Sequence, residues 1–191
     1  THVQFNDASS FGGDAGLTYN KTTDALTIAG QLIISGASAG QIVFPASQNS
    51  STNANTLDDY EEGTWTPVIG GAGGTSGQAY TNQAGTYLKV GKWVLINCFV
   101  TLSTEGTITG NAQVSGFPFT SSSSASACAF VRWAALATSW VCVTAVIDES
   151  TTVALLRGAT AAATAATTNL TSTDIADTTG LRFSLVYEAS A

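Results

Sequence analysis

Between Trp93 and Leu102 the chain alternates with a period of two. Val94, Ile96, Cys98, Val100 and Leu102 take one side, and Trp93, Leu95, Asn97, Phe99 and Thr101 take the other. That period marks a β-strand, because successive side chains leave a strand on opposite faces. Here both sides are largely apolar, so the strand is either central in a two-layer core or covered on its second face by another chain. It lies within a longer stretch, Leu57–Leu102, which begins LDDYEEGTWTP (Leu57–Pro67) and resumes, after a Gly-rich loop, as GTYLKVGKWVLINCFVTL (Gly85–Leu102). The residues before this stretch are thin and repetitive in pattern. Those after it read as further strands packing onto it.

Six basic against thirteen acidic residues give a net charge of −7. Nucleic-acid binding draws on clustered Lys and Arg that release counterions, so it is not expected here. Hydrophobic residues make up 44% of the 191 and charged ones 10%, which argues against disorder. There is no run of about 18 apolar residues, so no membrane insertion is expected, and no signal peptide is visible. The chain starts at Thr1 and has no Met. It is either processed or the ordered part of a longer polypeptide, and the second is the expectation. Cys98, Cys128 and Cys142 each sit in an apolar, strand-like run. Odd in number and widely spaced, they form neither a disulfide framework nor a zinc site. Buried free thiols in a protein folded in a reducing cytoplasm are the expectation.

Two regions are expected, a fibrous β stalk and linker over 1–56 and a head over 57–191. In the first, short alternating runs (Val3/Phe5, Leu17/Tyr19, Leu26/Ile28, Leu32/Ile34) are separated by polar residues and glycine, and LTYN-KTTD-ALTI predicts a hairpin. Such pieces are too short to bury a core alone. Residues 36–55 read as a linker with one anchoring strand at Gln41–Pro45. In the head, the pattern predicts strands over Gly63–Ile69, Gln78–Asn82, Gly85–Val90, Lys92–Ser103, Asn111–Val114, Ala127–Thr138, Trp140–Asp148, Val153–Arg157 and Leu181–Glu188. The Ala/Thr tract Gly158–Thr168 reads as a loop, because its threonines are β-branched and no amphipathic pattern runs through it. Thr171–Asp177 predicts one helical turn capped by Thr171 or Ser172. Many short strands between turn signals predict an all-β fold whose head is an antiparallel, jelly-roll-like β-sandwich.

The run FNDASSFGGDAGLTYNKTTDALTIAG (Phe5–Gly30) resembles stalk sequences of tailed-phage fibres. LDDYEEGTWTP, then GTYLKVGKWVLINCFV (Gly85–Val100), then VSGFPFTS (Val114–Ser121), resembles the C-terminal head domains of phage tail fibres and related virion proteins. The resemblance implies a homotrimeric, non-enzymatic virion protein assembled in the bacterial host and used in attachment to a host surface glycan or protein. Its upstream region would join other tail or capsid proteins. A capsid head fibre or decoration protein fits the same resemblance, which carries no ligand site because tip loops differ between members. The doubly apolar strand motivates the trimer, with Trp93, Leu95 and Phe99 as the expected interface.

Recognisable chemistry is sparse. The only histidine is His2, in the stalk region, far in sequence from any head serine that a Ser-His-Asp triad would need. Asp58, Asp59, Glu61 and Glu62 would have to face each other across a cleft to act as a glycosidase pair, and the glycine after them is not at the EF-hand position. They read as a solvated turn, their carboxylates meeting Lys or Arg of a neighbouring chain. There is no P-loop, dinucleotide fingerprint or H-E-x-x-H. No cofactor, metal site or catalytic residue is predicted. Trp93, Trp133 and Trp140 lie in apolar alternation and are expected in the core or between subunits. Loops on a rigid scaffold are where binding residues gather. The ligand-contact candidates are therefore Thr75 and Tyr80, Glu105 and Thr107, and Asn169. Two other classes stay open: a monomeric carbohydrate-binding module with exposed tryptophans, and a glycan-degrading tip enzyme.

Overall fold

The computed structural model describes residues 2–7, 10–32, 42, 56–57, 59–124, 126–161 and 166–190. They are all-β, with antiparallel pairing in every sheet. The chain divides into two compact units, Thr1–Val43 and Phe44–Ala191.

In the first unit β1 (His2–Asp7), β2 (Ser10–Asn20) and β3 (Ala25–Ile28) form a three-stranded meander. The predicted hairpin is present, with Leu17 opposite Ile28 and Asn20 opposite Ala25. Its turn closes through the Asn20 side chain, which accepts the Thr22 N–H at 2.9 Å, and the Tyr19 hydroxyl donates to Asp24 Oδ1 at 2.6 Å. Leu26 is exposed, while Leu17 and Ile28 are only half-buried. The predicted linker 36–55 and its anchoring strand lie outside the described residues, except for Ile42.

In the second unit the strands are β4 (Tyr60–Trp65), β5 (Val68–Gly71), β6 (Gly74–Ser76), β7 (Ala79–Val90), β8 (Trp93–Thr104), β9 (Thr107–Thr109), β10 (Ala112–Ser115), β11 (Ala127–Phe130), β12 (Arg132–Ala134), β13 (Cys142–Ile147), β14 (Val153–Ala159), β15 (Thr168–Asn169) and β16 (Gly180–Glu188). One sheet runs β12-β16-β8-β7-β4; the other runs β11-β13-β14-β10-β5, with β15 on β14. β6 and β9 make a separate two-stranded ribbon. The two large sheets form a β-sandwich. Ile96, Val100 and Leu102 of β8 and Leu181, Leu185 and Tyr187 of β16 share one buried cluster with Val143, Ile147, Leu156, Val114 and Ile69 of the opposing sheet. Burying each such side chain stabilises by about 1.5–3 kcal/mol. β8 is the middle strand of its sheet, so one of its apolar faces builds the core. The other is not covered by the described residues of this chain.

Three strand expectations change, each for a local reason. Gly63–Ile69 breaks at Thr66-Pro67, where proline has no N–H to give a ladder, and β4 and β5 enter different sheets. Gln78–Asn82 and Gly85–Val90 join as β7, with register shifts between Ala79 and Asn82 absorbing the irregularity. Ala127–Thr138 splits at buried Val131, where the chain leaves one sheet as β11 and enters the other as β12. The expected helical turn is a single 3-10 turn, Ser172–Asp174, begun at Thr171. Of the Ala/Thr tract, 162–165 lie outside the described residues; its start, through Ala159, extends β14.

The three head stretches that carry the resemblance converge on one place. Buried Asp59 pairs with buried Lys89, whose ammonium lies 5.3 Å from the Phe119 ring centroid. A Cβ on Gly63 would stand 2.8 Å from the Tyr87 hydroxyl, and that tyrosine meets Phe119 edge-on at 5.2 Å. Trp65 lies over Gly85, where any side chain would run into the indole, and packs against Phe117 at 5.1 Å. Its Nε1–H reaches the carbonyls of Asn97 at 3.2 Å and Thr86 at 3.3 Å. The motif is thus a device for closing the sandwich. Asp59 departs from the expected solvated turn, because its counterion comes from its own chain.

Candidate functional site

Strand register lays out the outward face of the β12-β16-β8-β7-β4 sheet as rows. One row is Tyr60, Val90, Trp93 and Glu188; the next is Glu62, Leu88, Leu95 and Val186. These rows make an apolar end, with Trp93 60% and Val186 51% exposed. A polar row comes next: the Ser184 hydroxyl donates to Asn97 Oδ1 at 2.6 Å, and Asn97 Nδ2 donates to the Thr86 hydroxyl at 3.4 Å. Beyond it stands a basic end. Ala84, Phe99 and Arg182 share a row, and Arg132 sits directly opposite Arg182. The three residues predicted as the subunit interface therefore part company. Trp93 and Leu95 belong to the apolar end, while Phe99 is half-buried beneath Arg182, whose Cζ lies 3.6 Å from its ring centroid.

At the basic end an open cleft of about 200 Å³ is lined by Asn82, Phe99, Thr101, Arg132, Trp133 and Arg182. Thr178 closes one side of it with φ of +68°, a left-handed conformation that a β-branched residue rarely adopts. Ala135, next to the cleft's Ala134, is also left-handed at +54°. Among the described residues neither guanidinium has an acidic partner; the ion pair found there is Lys89–Asp59. Sequence reading missed both arginines. The available signal was that Arg132 and Arg182, two of only six basic residues, fall at alternate positions to the apolar residues of predicted strands.

The loop candidates separate. Thr75, Glu105 and Thr107 meet around the β6–β9 ribbon, where Ser76 is opposite Thr107. Gln78 Nε2 donates to the Glu105 carbonyl at 2.8 Å and to the Thr107 carbonyl at 3.2 Å. The Glu105 N–H donates to Asp177 Oδ1 at 2.7 Å, and the Thr75 hydroxyl accepts the Gly71 N–H at 3.0 Å. Asn169 stands apart on β15, opposite Arg157. Tyr80 corrects the expectation of exposure: it packs half-buried against the core, its hydroxyl donating to the Ile69 carbonyl at 3.5 Å, and burial raises its pKa.

The remaining groups are structural. Asp174 is pushed up by burial and pulled further down by hydrogen bonds, from the Thr171 N–H at 2.7 Å and from Thr138, Thr171 and Trp140, leaving its carboxyl below the usual value. Trp65 is buried, Trp133 and Trp140 are half-buried, and Trp93 projects outward. The cysteines divide, correcting the expectation that all are buried. Cys98 is in the core, where burial raises its thiol to about 12; Cys142 is intermediate and Cys128 is exposed. Glu62 is exposed and Glu61 half-buried, and Asp58 lies outside the described residues. Among the described residues no three His, Cys, Asp or Glu side chains gather as a metal-holding group.

Comparison with protein-family models, with curated proteins and with solved structures finds no match to this chain.

Proposed function

We propose that this chain is a non-enzymatic virion fibre protein of a tailed bacteriophage, whose trimeric head takes part in host-surface attachment. The observation that carries the reading is the pair of outer faces on the sandwich that the described residues leave uncovered. On one, Tyr60, Val90, Trp93, Leu95 and Val186 form the apolar end. On the other, exposed Cys128 stands opposite half-buried Val146, which stands opposite half-buried Leu155, and Phe130 is 82% exposed beside them. A cyclic trimer is built from a heterologous interface, in which each subunit offers two different surfaces to its neighbours. A sandwich with an apolar area on each side supplies both. The sequence resemblance of Leu57–Ser121 adds the virion setting, with a tail or capsid partner upstream.

Light scattering on the intact 19.4 kDa chain tests the assembly. The expected mass is three chains, and Trp93→Asp is expected to reduce it to one. A wild-type mass of one chain would overturn the trimer and favour a monomeric carbohydrate-binding module, in which exposed Trp93 is the stacking platform.

A further inference from the structure

We propose that the cleft around Arg132 and Arg182 is a subsite for one acidic sugar residue, a ring bearing a carboxylate or phosphate. Two arginines directly opposite in an antiparallel ladder repel each other, a pairing that costs stability unless an anion sits between them. In a chain of net charge −7 carrying only six basic residues, placing two of them together without an acid among the described residues marks the position. The nearest acid in sequence, Asp177, is already committed through Oδ1 to the Glu105 N–H.

The rest of the cleft fits a sugar rather than a bare ion. The Arg182 guanidinium carbon lies 3.6 Å from the Phe99 ring centroid, and contact with the ring restricts its fork before any ligand arrives. Planar guanidinium forks match carboxylate and phosphate oxygens in bidentate geometry. Asn82 and Thr101 add neutral groups for hydroxyls, and Phe99 and Ala134 add apolar surface. The volume of about 200 Å³ is below that of ordinary small-molecule pockets and suits one unit of a longer chain. Left-handed Thr178 lines the cleft, and strain of that kind gathers at binding sites. The apolar end begins four residues back along β8, at Leu95, about 13 Å away at 3.3 Å per residue, so contact between subunits there leaves the cleft open. The choice of a saccharide rests on the attachment reading; the anion site rests on this geometry alone.

The test is calorimetric titration of the full chain with a glucuronic-acid tetrasaccharide, glucose 6-phosphate, inorganic phosphate and a neutral glucose tetrasaccharide. The measurement is repeated on Arg132→Gln/Arg182→Gln, with mass and melting temperature recorded for both proteins. Either acidic sugar is expected to bind at least about tenfold tighter than the neutral one, the worth of a charge-assisted hydrogen bond. The double variant should lose that preference while its mass and melting temperature hold. Equal binding of acidic and neutral sugars, binding of inorganic phosphate as tightly as either acidic sugar, or unchanged binding by the double variant would overturn the proposal. So would a trimer that dissociates in the double variant, because the arginines would then be intersubunit ion pairs. Acidic-sugar binding by a protein of single-chain mass would overturn the fibre reading and leave the subsite. A trimer that binds none of the four probes would overturn the subsite and leave the fibre.

Discussion

The two faces of β8 belong to the same residues in alternation, yet they answer to different constraints. Val94, Ile96, Val100 and Leu102 are fully buried by the opposing sheet. Trp93, Leu95, Asn97 and Phe99 face outward and sort along the strand into an apolar end, a polar row and an aromatic under a guanidinium. The inner face carries uniform aliphatic character because its task is close packing. The outer face is heterogeneous because different positions meet different partners. Apolarity alone does not separate the two; uniformity does.

Chemical reactivity should separate them most widely. With its thiol raised to about 12 by burial, Cys98 is thiolate to the extent of roughly one part in ten thousand at pH 8. An aromatic disulfide reagent should label exposed Cys128 in the native protein and reach Cys98 only in urea. Comparable native rates at both would mean that the inner face is open to solvent. Next comes the Asp59–Lys89 ion pair on the inner side. Asp59→Ala removes the buried carboxylate that faces the Lys89 ammonium and should cost about 3–5 kcal/mol in urea denaturation. A loss below about 1 kcal/mol would place that pair in water. Ile96→Ala should cost about 2–5 kcal/mol, against about 0.5 kcal/mol for Ser184→Ala on the outer side. Equal losses would erase the distinction between the faces.

The smallest effect belongs to Asp174. Its carboxyl is held below the ordinary value of 3.8, so it contributes stability that is fully present above that pH and is lost as pH falls through the lowered value. Asp174→Asn should flatten the acid limb of a stability–pH curve below pH about 4 and leave its slope near neutrality unchanged. An unaltered acid limb would remove Asp174 from the account.

Periodicity made the fold class and most head strands legible, because inward positions repeat every two residues along β8, β13, β14 and β16. It could not show where a strand changes sheets. Val131 is one more apolar residue in an apolar run, and only tertiary pairing puts β11 and β12 apart. LDDYEEGTWTP stood out in sequence, but its acids misled: charge suggested solvent for Asp59, while a lysine thirty residues on compensates its burial. Tyr80 misled in the same way, as glycine-rich surroundings suggested exposure and Ile69 supplied a hydrogen-bond partner. The arginine cleft was illegible because Arg132 and Arg182 are fifty residues apart and meet only through strand register.

The position of β16 sets a clock on synthesis. It lies between β12 and β8 in its sheet, and Gly180–Glu188 leaves the ribosome long after Thr104, the end of β8. At 5–20 residues per second the delay is on the order of ten seconds. Through that interval β8 has β7 on one edge and an open ladder on the other, with apolar side chains above and below it. An unpaired edge of that kind recruits other strands. Neighbouring nascent copies are thus most exposed to mispairing just before β16 emerges, and slowing elongation between Thr104 and Gly180 should lower the soluble yield.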